Sequence, residues 1–182
     1  MKNISDFCGY DYKSLIYFEN IIKKLKIPKI GKIVQLGSNF CVTLERMCNF
    51  YGHKRCIGYD LINPLNHPNV VIKDCSKLGK DKKMDNFMIA YCDIDLSSLH
   101  ISPKLRINAV KWAAKQVVKN GYILTNNSWA FKKHSSFDVE KFFIDNKFKI
   151  IQLDKYKNQK WAKIFNKKSP WNTKSAMLCK KL

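Results

Sequence analysis

No run of apolar residues in this chain reaches the roughly 18 that a membrane helix needs. The opening Met-Lys-Asn-Ile-Ser-Asp-Phe-Cys-Gly-Tyr lacks the apolar centre of a secretory signal. Both absences lead us to expect a soluble, cytoplasmic protein with no membrane partner. Paired cysteines are missing too. Cys8, Cys41, Cys48, Cys56, Cys75, Cys92 and Cys179 stand one at a time, no CxxC occurs, and the odd count argues against a disulfide framework. We read them as reduced thiols that pack as small hydrophobes. Zinc is the sharper alternative, but Cys41, Cys48 and Cys56 have the wrong spacing for it. The fingerprint G-x-G-x-x-G is also absent, which counts against a nicotinamide enzyme. There is no internal repeat, low-complexity tract or second domain.

Acidic residues are scarce. Fourteen Asp and Glu stand against 34 Lys and Arg, a formal net charge of +20. Such an excess suits an anionic partner such as RNA, DNA or a phosphorylated substrate. Arginine, the better bidentate phosphate ligand, occurs only at Arg46, Arg55 and Arg106. Lysine, asparagine, isoleucine, phenylalanine and tyrosine are abundant, the composition that an AT-rich genome writes into any protein. The two explanations of the charge stand side by side. What the chain does have is core material: 182 residues suit one domain, and 46% hydrophobic with 13% aromatic residues suffice to fill it.

The stretch that organises the rest is residues 32–38, Lys-Ile-Val-Gln-Leu-Gly-Ser. Ile33, Val34 and Leu36 predict a short buried strand, and Gly37 and Ser38 break it. Over residues 40–51, Phe40, Leu44, Met47 and Tyr51 fall at helical spacing. Strand, glycine turn, helix opens a βαβ unit. Backbone N–H groups are unpaired at such a helix start, and glycine permits close approach, so nucleotide-like cofactors sit there.

Before it, residues 11–26 predict a helix with Leu15, Phe18, Ile22 and Leu25 on its apolar stripe. After it, residues 55–61 predict a second strand ending at Asp60, 23 residues beyond Gly37. An acid at that place can accept bonds from both hydroxyls of a ribose, or it can cap a turn. Residues 69–75 predict a third strand ending at Asp74, an acid for an adenine amino group or for the next turn. Residues 86–92 are nearly all apolar, as in a central parallel strand. They run straight into Asp93 and Asp95, two carboxylates at the sheet edge where open α/β folds place their chemistry. Residues 102–119 predict a helix that Asn120-Gly121 ends by a left-handed cap. Residues 122–125 are a fifth strand leading to Asn126-Asn127. Residues 136–146 predict a helix with Phe137, Phe142 and Phe143 inward. Residues 148–153 and 176–180 predict a sixth and seventh strand, an antiparallel hairpin around a long loop. That loop, residues 154–174, interleaves lysines with Tyr156, Trp161, Phe165 and Trp171, a pattern that suits a polyanion or a solvated loop.

This layout resembles the class I S-adenosylmethionine-dependent methyltransferases over about residues 30–182. The resemblance implies an α/β fold: a single Rossmann-like doubly wound sheet of about seven strands, mostly parallel, with an antiparallel C-terminal hairpin. Residues 1–30 would be an N-terminal helical segment and 31–182 the methyltransferase domain. The family's first motif, an acid, a hydrophobe and alternating glycines, is matched by Val34 to Phe40. Here Gln35 replaces the acid, Gly37 remains, and Asn39 replaces a glycine. By resemblance, Gly37, Asp60 and Asp74 would line the S-adenosylmethionine site, with Gln35, Leu61, Cys75 and Asp93 beside them and Ser38 and Asn39 near the methionine part. Asp93 with Asn126-Asn127 is similar to the metal branch of O-methyltransferases, which implies Mg²⁺ on those three residues. Asp93 would then be base or metal ligand, and Asp95 and Asn126 would orient the acceptor, a hydroxyl or an amine. Apart from the resemblance, Lys132, Lys133 and His134 follow the fifth strand and suit an anionic acceptor or plain surface charges equally. The viral-cap RNA 2′-O-methyltransferases carry a lysine, aspartate, lysine, glutamate set, of which Asp93, Lys132 or Lys133, and Glu140 match three places. The competing expectation is a non-catalytic module of the same fold that binds nucleic acid.

Overall fold

The computed structural model describes residues 23, 26–27, 30–38, 42–75, 77–78, 85–92, 103–125, 136–154 and 176–182. Of the expected helix over 11–26 the described residues include only Lys23, which is helical, and Lys26, in a turn, and of the loop over 154–174 only Asp154, the last residue of the sixth strand.

Seven strands form one sheet: β1 (Lys32–Leu36), β2 (Cys56–Asp60), β3 (Val70–Ile72), β4 (Phe87–Cys92), β5 (Val117–Thr125), β6 (Phe148–Asp154) and β7 (Ala176–Lys181). Their order is β3-β2-β1-β4-β5-β7-β6. The first five pair in parallel, and β7 enters antiparallel between β5 and β6. This is the expected mixed sheet with its antiparallel terminal hairpin. Three α-helices are described, α1 (Val42–Tyr51), α2 (Pro103–Gln116) and α3 (Val139–Asp145), with a short 3-10 helix at His53–Arg55.

The central strands read as near-continuous apolar runs because both of their faces are covered. Side chains alternate between two cores along each strand. Val34, Ala90, Ile123 and Cys179 join Trp112 and Phe143 in one cluster. Ile33, Ile89, Leu124 and Leu178 join Leu44 and Met47 in the other. The first lies under α2 and α3, the second under α1. As expected, Phe143 is fully buried, and Phe137 and Phe142 pack against the same core. Asp138 caps α3 by accepting a bond from the Lys141 N–H at 3.0 Å.

Two expectations need correction. The third strand stops at Ile72 rather than residue 75, because its partner ends first: Asp60, the last residue of β2, pairs with Ile72. Asp74 therefore sits in a turn beyond the sheet. The helix over 102–119 stops at Gln116, and Asn120-Gly121 is not its cap. Asn120 does take the left-handed conformation (φ 63°). It does so inside β5, where residues 118–121 bulge between the pairs Phe87–Val117 and Ile89–Tyr122.

The end of α2 is held instead from across the sheet. Lys181 Nζ donates to the carbonyls of Ala114 (2.9 Å) and Val117 (2.7 Å). A cation at a helix carboxyl end meets carbonyls that have no partner within the helix. Burial holds this ammonium below the ordinary lysine value. Lys181→Met keeps the stem and loses both bonds, so it should destabilise by about 1.5–3 kcal/mol, read as a lower thermal midpoint. Lys181→Arg should recover most of the loss.

Candidate functional site

The strand order reverses between β1 and β4, and the crevice at such a switch point opens at the carboxyl ends of the strands. Register brings the ends level: Leu36 pairs with both Tyr59 and Cys92, and Cys92 pairs with Thr125. Gly37 leaves β1 with φ 82°, a conformation that favours glycine. Its N–H donates to the Tyr59 carbonyl at 2.9 Å, which ties the turn to β2. Ser38 follows and is buried, with 3% of its surface exposed.

Ser38 can sink this far because residue 58 is glycine. A Cβ on Gly58 would stand 2.7 Å from Ser38 Oγ and 2.6 Å from Leu44 Cδ2. Gly58 is thus a site residue outside the sequence expectations, although an isolated glycine in a strand is itself a sign of close approach. Gln35 is also buried, and its Nε2 reaches back to the Gly37 carbonyl at 3.4 Å. Ser38 Oγ and Gln35 Oε1 have no hydrogen-bond partner among the described residues. Buried polar atoms are nearly always paired, so two such atoms beside one glycine turn fit a ligand with polar groups.

Asp60 ends β2 half-buried, and its Oδ1 accepts a bond from the Leu61 N–H at 2.7 Å, which fixes the carboxylate. Leu61 itself is 60% exposed. Cys75 comes back against this corner, with its Sγ 3.9 Å from the Tyr59 carbonyl. Burial first, then the charge of Asp60, pushes its thiol up to about 12, against a hydrogen bond with the Gly37 backbone. Cys75 is therefore a neutral wall and not a nucleophile. Asp74 pairs with Lys77 at 3.2 Å, and the Lys77 N–H donates to its carbonyl, so in the structure it stabilises the turn after β3. Gln35, Gly37, Ser38, Asp60, Leu61, Asp74 and Cys75 all lie at this end of β1, β2 and β3. Asn39, Asp93, Asp95, Asn126, Asn127, Lys132, Lys133 and His134 lie outside the described residues. Glu140 stands in the first turn of α3. Among the described residues no group of three His, Cys, Asp or Glu could hold a metal, and Cys48, Cys56, Cys75, Cys92 and Cys179 are free and buried. No described helix is long and apolar enough to cross a membrane.

The loop after Asp60 is fastened to α1. Asn63 and His67 exchange two bonds, at 2.8 and 3.0 Å. The Asn69 N–H donates to His67 Nδ1 at 3.1 Å, so the ring proton sits on Nε2 and points to Glu45 Oε2, 2.8 Å away. This contact joins the helix behind the glycine turn to the loop behind Asp60. The His67 bond holds the Glu45 carboxyl below its ordinary 4.5, burial opposes it, and the charge of His53 assists. A depressed carboxyl stabilises the fold above its unfolded value and loses that contribution as pH falls through the folded one. Glu45→Gln should therefore flatten the acid limb of stability below about pH 4.5, by under about 1 kcal/mol for so exposed a group.

No family model and no curated protein matches the sequence. Solved structures match in fold. An S-adenosylmethionine-dependent methyltransferase from Clostridium acetobutylicum ATCC 824 superposes with a TM-score of 0.65 at 13% identity, over 96% of this chain and 93% of that one. The magnesium protoporphyrin IX methyltransferase of Synechocystis PCC 6803, with bound S-adenosylmethionine, gives 0.63 at 10% identity over 94% and 80%. The N-methyltransferase NodS of Bradyrhizobium japonicum WM9, in complex with S-adenosylhomocysteine, gives 0.61 at 7% identity over 99% and 93%. The fold is that of the class I S-adenosylmethionine-dependent methyltransferases. At these identities the likeness is one of fold.

Proposed function

We propose that this chain is an S-adenosylmethionine-dependent methyltransferase acting on a hydroxyl or amine. The observation that carries it is the corner where Gly37, Ser38, Asp60 and Cys75 meet beside two buried, unpartnered polar atoms. These residues fit the cofactor. Asp60 would accept the ribose hydroxyls, Leu61 would cover the adenine, and Asp74 would meet its amino group. Gln35, Ser38 and Asn39 would hold the methionine part. When bound, S-adenosylmethionine supplies an electrophilic methyl on a sulfonium leaving group.

The chain's own task is to hold the acceptor in line and exclude water. Asp93 follows β4 directly, and we assign it the acceptor proton where the acceptor is a hydroxyl. Asp95 and Asn126 orient the acceptor. Mg²⁺ on Asp93, Asn126 and Asn127 is the metal-assisted form of the same proposal. An N-methyltransferase among the similar structures keeps an amine acceptor open. Calorimetric titration with S-adenosylmethionine and its demethylated product, with and without Mg²⁺, tests the proposal. Saturable binding is expected, and no heat at millimolar ligand would overturn it.

A further inference from the structure

At the other end of the same strands lies a second recess. It is an open cleft of about 290 Å³. Its walls are the residues where strands begin: Lys32 at the start of β1, His53, Lys54 and Arg55 just before β2, Asn69 just before β3, and Asp85 just before β4. The recess opens at the amino ends of the strands, Gly37 and Asp60 lie at their carboxyl ends, and Tyr59 borders both. Lys32, His53, Lys54 and Arg55 are all exposed. Among the described residues, neither Lys32 nor Lys54 is in an ion pair. Arg55 is one of only three arginines in the chain.

The floor is apolar. Ile57 and the half-exposed Val71 line it. Lys73 adds a further cation close by, 5.0 Å from the centre of the Tyr59 ring. The one acid of the lining, Asp85, has its Oδ2 3.4 Å from the Tyr59 hydroxyl. Cations over an apolar floor with one carboxylate suit a nucleotide better than bare phosphate: the cations take the phosphate, the floor a flat base, the carboxylate an amino or hydroxyl group. The volume lies at the lower end of small-molecule sites, roughly 300–1,000 Å³, room for one nucleotide and no more.

We propose that this cleft seats one nucleotide of a single-stranded RNA, independently of S-adenosylmethionine. The chain's formal net charge of +20 favours the approach of a polyanionic strand. Binding of a labelled oligouridylate of about ten nucleotides, followed by fluorescence anisotropy at graded salt without the cofactor, tests this. Lys54→Ala/Arg55→Ala should weaken binding about tenfold or more and flatten the slope of log affinity against log salt by about 1.4, the loss of two phosphate contacts. Lys141→Ala/Lys149→Ala removes the same charge near the opposite edge of the sheet and should weaken it less than about threefold. Uridine monophosphate should displace the strand from the cleft. Equal losses in the two pairs, no binding by the unmodified protein, or failure of the monophosphate to compete would each overturn the proposal. So would a strand bound no tighter than the monophosphate, which would make the free nucleotide the ligand. None of these outcomes depends on whether the methyl donor binds.

Discussion

Asp60→Ala should lower the affinity for S-adenosylmethionine by about a hundredfold or more, with Asp60→Asn in between. A carboxylate accepting both ribose hydroxyls makes two charge-assisted bonds, each worth about 1.5–3 kcal/mol. Losing about 3 kcal/mol of this is a little over two decades in dissociation constant. Calorimetry reads it directly. The carboxylate also has a local task, the 2.7 Å bond from the Leu61 N–H. A turn-capping role alone would behave differently. The alanine variant would then lose about 1 kcal/mol of stability and keep its cofactor affinity within about threefold. A lower melting point with unchanged binding would therefore remove Asp60 from the site. A second readout lies at Cys75, whose thiol is held up first by burial and then by the Asp60 charge. Asp60→Ala should lower that value while burial still keeps the thiol neutral at pH 7.

Asp60 was legible because its position depends on short-range features: a strand of five residues, Cys56–Asp60, ends where the apolar run ends. The central strands were legible for the same reason, since Phe87–Cys92 is buried on both faces and has no polar face to blur the pattern. Where a strand stops, by contrast, depends on its neighbour. The apolar run Val70–Ile72 gives no sign of where its strand ends, and β2 offers nothing to pair with beyond Asp60. Contacts between distant residues were illegible altogether. The pair Glu45–His67 spans 22 positions and Lys181–Ala114 spans 67, and no spacing rule connects them. Gly58 belongs to the same group. Its lack of a side chain matters only because Ser38 and Leu44 arrive above it.

Gly121 shows most sharply how the same residue type can serve two different ends. As a left-handed helix cap it would lose about 1–2 kcal/mol to alanine, the cost of that conformation for a residue with a Cβ. In the structure its φ is not positive-handed, and its constraint is space. An added Cβ would stand 2.8 Å from the Met88 carbonyl oxygen, 2.9 Å from that of Val118 and 2.6 Å from Val117 Cγ1. Two of the three are backbone atoms of the bulge and of β4, which cannot turn aside as a side chain can. Gly121→Ala should therefore destabilise by about 1–3 kcal/mol or more through overpacking, a fall of roughly 2–4 °C in thermal midpoint per kcal/mol. Asn120→Gly, one residue earlier, should be nearly neutral, because Asn120 holds the positive φ and glycine adopts it freely. The two variants, measured by thermal and urea unfolding, test the two constraints of the bulge: a positive φ at residue 120 and no room for a side chain at residue 121. If Gly121→Ala melts like the unmodified protein while Asn120→Gly does not, the bulge at the start of β5 is wrongly placed. The register of β5 against β4, which brings Thr125 level with Cys92 at the mouth of the crevice, would then have to shift with it.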